Sequence, residues 1–61
     1  MNDVEYYTRL AADMSEMRQI LKRQMTEAKN EGQEKRVVYF ENTISFLGKM
    51  IDAATEEISH A

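Results

Sequence analysis

The sequence predicts an all-α protein: a two-helix antiparallel hairpin, expected to assemble into a four-helix bundle as a homodimer or with a partner chain. The first observation is an unbroken apolar heptad, in which Val37, Phe40, Ile44, Leu47, Ile51, Ala54 and Ile58 recur at alternating steps of three and four. The second is another heptad, running through residues 7–28. The third is the short stretch Asn30-Glu31-Gly32 between them, where a glycine suits the left-handed residue just past a helix end.

The first helix is expected over about residues 3–29. Asn2 or Asp3 is available as its cap, and Asp3 and Glu5 suit its positive end. Its apolar stripe is Tyr7, Leu10, Met14, Met17, Leu21 and Ala28, with Gln24 in the one polar seam position. Ala11, Ile20 and Met25 widen that stripe to the broad face of a bundle helix. The turn follows at about 30–33 and the second helix at about 34–59. Proline is absent from the chain, and Gly48 is the one glycine inside a helical segment.

Folding at the turn sets Ala28 against Val37, Leu21 against Ile44, Met17 against Leu47 and Met14 against Ile51. Leu10 then meets Ala54, and Tyr7 meets Ile58. One register satisfies every layer, as a sequence that specifies a fold requires. A single continuous helix in a coiled coil is the competing arrangement, and it needs Asn30-Glu31-Gly32 to be helical.

The chain of 61 residues is expected to form one domain, residues 1–61. A domain of this size buries only about 60% of its unfolded surface, and its core rarely supplies more than ~3–5 kcal/mol. There is no cysteine for a disulfide and no zinc-ligand spacing. Regular helix packing and association remain as sources of stability, and association is the stronger expectation.

The second helix carries more apolar surface than a hairpin uses. Tyr39, Phe46, Met50 and Ala53 form a further stripe, with Gly48 placed where a missing side chain lets another backbone approach. Val4, Tyr6, Ile20 and Met25 flank the seam on the first helix. Exposed together they would make a large patch, which marks an interface. The interface residues expected from the sequence are Tyr6, Ile20, Tyr39, Phe46 and Met50. Met14 and Met17 sit in the seam, where core filling is the commoner use of methionine.

Charge is segregated along the chain. Residues 1–17 carry net −3, residues 18–36 net +3 and residues 37–61 net −3, which gives the overall −3. The turn end of a hairpin is therefore basic and its open end acidic. The first helix follows the dipole preference, while the second opens with Lys35 and Arg36 and ends near Glu56 and Glu57, against it. Two hairpins packed antiparallel would set each basic end against an acidic one.

No catalytic constellation is written into the chain. Glu57 and His60 match the Glu-x-x-His spacing of di-iron bundles, but the neighbouring seam residues Tyr7, Leu10, Ala54 and Ile58 are apolar. A solvated terminal histidine is the expectation, with no cofactor, no metal and no enzymatic activity. The basic residues Arg18, Lys22, Arg23 and Lys29 could meet nucleic-acid phosphates. Glu27, Glu31 and Glu34 dilute that patch, and the net negative charge argues against nucleic acid as the main partner.

In length and layout the chain resembles Rop-type plasmid regulators, RNA-binding dimers of helical hairpins, and the small hairpin co-chaperones of type III secretion needles. The likeness spans most of the chain and rests on architecture; no motif residue carries over, and no site is transferred. The expected function is a small non-enzymatic protein–protein interaction module of the regulator, inhibitor, co-chaperone or phage and plasmid accessory kind. The alternative is a Rop-like RNA-binding regulator. Met-Asn-Asp-Val-Glu lacks the layout of a signal peptide and no run is long enough to span a bilayer, so a cytoplasmic location is expected.

Overall fold

The computed structural model describes residues 3–60. It contains two α-helices, α1 over Asp3–Asn30 and α2 over Glu34–Ser59, and no strand among the described residues. The rod they form measures 45 × 14 × 13 Å. At 1.5 Å rise per residue a helix of 28 residues is about 42 Å long. Both helices thus run the length of the rod, packed side by side. Neither is long and apolar enough to cross a membrane.

Backbone geometry makes the reversal. Gly32 has φ of 70°, a left-handed value that costs a side-chain-bearing residue steric strain. The Gly32 N–H donates to the Lys29 carbonyl at 3.1 Å and the Gln33 N–H to the Ala28 carbonyl at 2.9 Å. Those two bonds are the Schellman closure of a helix C-terminus, and they satisfy carbonyls that α1 would otherwise leave open. Helix α2 then starts without a side-chain cap. The Gln33 amide oxygen instead accepts a hydrogen bond from Arg36 Nη1 at 2.9 Å. Of the two expected caps for α1, Asp3 is the first residue of the helix and Asn2 lies outside the described residues.

The interface between the helices is narrow. Met14, Leu47 and Ala54 form its buried cluster, with Tyr7, Leu10, Ala11, Leu21 and Ile51 packed around them half-exposed. Ala28 is buried separately beside the turn. Among the described residues no side chain is completely enclosed.

The seam of α1 differs from the expected one. The column Tyr7, Met14, Leu21 and Ala28 faces α2, but Met17 is 54% exposed and Gln24 also faces out. Ala11, Arg18 and Met25 take the inner flank instead. Two helices meeting alone can cover only a narrow stripe on each, so one flank of a broad apolar face is left outside. Gly48 lies on the side of the inner flank. A β-carbon at Gly48 would stand 3.9 Å from Arg18 Nη1, so the arginine lies over the glycine, where the sequence suggested an approaching backbone.

Candidate interaction face

Among the described residues seven large apolar ones stand exposed: Tyr6, Met17, Ile20, Val38, Tyr39, Phe46 and Met50. Six of them share one broad side of the rod, as helical geometry requires. On α1, Tyr6, Met17 and Ile20 follow the spacing of a single stripe displaced to one side of the Tyr7–Met14–Leu21 column. On α2, Tyr39, Phe46 and Met50 make a stripe displaced from the Phe40–Leu47–Ala54 column. Because the helices are antiparallel, the two displacements point to the same side. Leu10 and Met14 of α1 and Met50 and Ala53 of α2 accordingly line one apolar groove between the helices.

This side places four of the five sequence-derived interface residues, Tyr6, Tyr39, Phe46 and Met50, at 41–64% exposure, and the fifth, Ile20, at 40%. It also brings in Met17, which the heptad assigned to the seam. Phe46 stands near the middle of the α2 stripe and Met17 nearly opposite on α1. Edge-to-face contacts hold two of the aromatic rings: Tyr6 lies 5.1 Å from Tyr7 and Tyr39 lies 5.6 Å from Phe40, centroid to centroid. Val38 stands apart, beside a second groove at the turn with Lys29, Gly32 and Val37.

Charges bound this face at its two ends. Toward the turn lie Gln24, Glu27, Glu31 and Arg36, which line a polar groove with Phe40 and Gln33. At the open end Glu57 lies beside the apolar groove. Within α2 the hydroxyls of Thr43 and Thr55 donate to the carbonyls of Tyr39 and Ile51, each at 2.9 Å.

Lys22, Arg23 and Lys29 are exposed, and their side chains make no hydrogen bond or ion pair among the described residues. Arg18 is half-buried beside Gly48, and its Nε is buried without a hydrogen-bond partner. At the C-terminal end His60 Nε2 sits 3.8 Å from Glu56 Oε1, both side chains 74% exposed, and Glu57 is not its partner. Among the described residues no group of three or more His, Asp or Glu side chains is gathered to hold a metal ion.

No family model matches this chain, and neither a curated protein nor a solved structure matches it significantly.

Proposed function

We propose that the protein is a non-enzymatic interaction module, working by laying the apolar side of its hairpin against another polypeptide. The observation that carries this reading is the mismatch between core and surface. Among the described residues four are buried and none is wholly enclosed, while six large apolar side chains share one side. A helix pair of this length gains little stability from so thin a core. A second layer of helices on the open side would bury Met17, Ile20, Phe46 and Met50 between the layers and complete a bundle interior.

Regulation, inhibition or co-chaperoning by such a module would be exerted through the same surface, because its action consists of occupying a partner's apolar helix face. The RNA-binding alternative has less support, since Glu27, Glu31 and Glu34 stand among the basic residues and the net charge is −3.

The test compares Phe46→Asp and Met17→Asp with Val38→Asp, which changes an equally exposed apolar residue off this side. Association and the cooperativity of thermal unfolding should fall in the first two variants and hold in the third. A wild-type protein that is a cooperatively folded monomer, does not bind an apolar dye and is unaffected by Phe46→Asp would end the reading.

A further inference from the structure

We infer that the polypeptide covering this side is a second copy of the chain, packed face to face with its turn at the opposite end. This deepens the interaction reading above and rests on it. The two-fold axis lies in the interface, perpendicular to the helices, and crosses them at Phe46 of α2 and between Met17 and Ile20 of α1. Each helix then faces its own counterpart running the other way.

That axis was located by one requirement, that the residues exposed on this side be complementary to themselves. On α2, reversal about Phe46 sets Tyr39 against Ala53 of the second copy, a large side chain against a small one. It also brings Arg36 to the level of the Glu56–Glu57 pair, and sets Phe46 against Phe46. On α1, reversal between Met17 and Ile20 sets those two residues against each other and brings Glu27 to within one residue of the level of Arg9. The hairpin's internal register, in which Leu10 and Met14 share a groove with Met50 and Ala53, places Phe46 level with the Met17–Ile20 segment. The axis positions on the two helices therefore lie at one level along the rod.

Charge separates this arrangement from its mirror alternative. An axis along the helices would bring turn to turn, gathering Lys35 and Arg36 of both copies, and open end to open end, gathering Glu56 and Glu57. The perpendicular axis sets each basic end on an acidic one. It also accounts for α2, whose charges oppose its own dipole: Lys35 and Arg36 at its start lie beside the Glu56–Glu57 end of the second copy.

The area is sufficient. With about 200 Å² for a large side chain, the six exposed residues present about 600 Å² of apolar surface per chain. Adding their polar rim approaches the ~800 Å² per partner of a standard specific interface.

Light scattering on a sizing column, read with circular dichroism over a hundredfold concentration range, tests the proposal. The expected result is a helical dimer. Arg36→Glu should weaken it roughly tenfold, since both symmetry-related pairs become repulsive, and Arg36→Glu with Glu57→Arg should restore it. A dimer strengthened or unaffected by Arg36→Glu, and unchanged in the double variant, would overturn this arrangement and leave the interaction reading intact. A monomer of low helicity would overturn the second copy as occupant in favour of a different protein. A cooperative, fully helical monomer would overturn both.

Discussion

Arg18 lies across Gly48, its Nη1 at 3.9 Å from where a β-carbon on that glycine would stand. In the same arrangement the Arg18 flank of α1 turns inward and its Met17 flank outward. An exposed methionine and a half-buried arginine are the two sides of that single rotation.

Gly48→Ala is expected to stabilise the protein. The separation of 3.9 Å is ordinary van der Waals contact, so a methyl group fits without displacing Arg18. Replacing a glycine inside a helix by alanine gains about 0.5–1 kcal/mol. Thermal unfolding should show a rise of a few degrees. A fall would mean that the glycine is needed for a closer approach than Arg18 makes.

Arg18→Met should be neutral or stabilising by up to about 1 kcal/mol. Its Nε is buried with no hydrogen-bond partner, and a methionine fills similar space without an unsatisfied donor. Denaturant titration measures this directly. A loss beyond about 1 kcal/mol would show that the guanidinium contributes an interaction across the seam.

Gly32→Ala should cost about 1 kcal/mol, through the backbone alone. Beyond the adjoining residues no atom lies within 4 Å of the added β-carbon, so the penalty comes from holding φ at 70°. Gly32→Asn should cost less, because asparagine tolerates the left-handed region better. Equal melting temperatures for all three proteins would contradict the left-handed turn.

Leu47→Ala should cost about 2–4 kcal/mol, since Leu47 is 7% exposed and belongs to the central cluster with Met14 and Ala54. Met17→Ala is the more informative companion. On an isolated hairpin Met17 is exposed and its truncation should fall within about 0.5 kcal/mol. Inside the proposed dimer it lies near the axis and should cost more than 1 kcal/mol, with part of the loss dependent on protein concentration.

The helices and the turn were legible because each rests on a local signal. Heptad spacing fixed which residues could face a second helix, and Gly32 marked the reversal. What the spacing could not resolve was which flank of a broad apolar face turns inward. Leu10 and Met17 on one edge, and Ala11 and Met25 on the other, offer α1 two nearly equivalent seams about Met14. The difference between them lies in neighbours far apart in sequence, such as Arg18 and Gly48, which no periodicity records. The apolar surplus on α2 was legible for the opposite reason. Tyr39, Phe46 and Met50 lie off the Leu47 column whichever seam α1 presents, so their exposure follows from α2 alone.

In the proposed dimer a second copy of the chain completes the core. The melting temperature should then depend on protein concentration, because association stabilises by mass action. The midpoint is expected to rise steadily over a hundredfold increase in concentration, and to lose that dependence in Phe46→Asp. A midpoint that stays fixed across the whole range in the wild-type protein would contradict it.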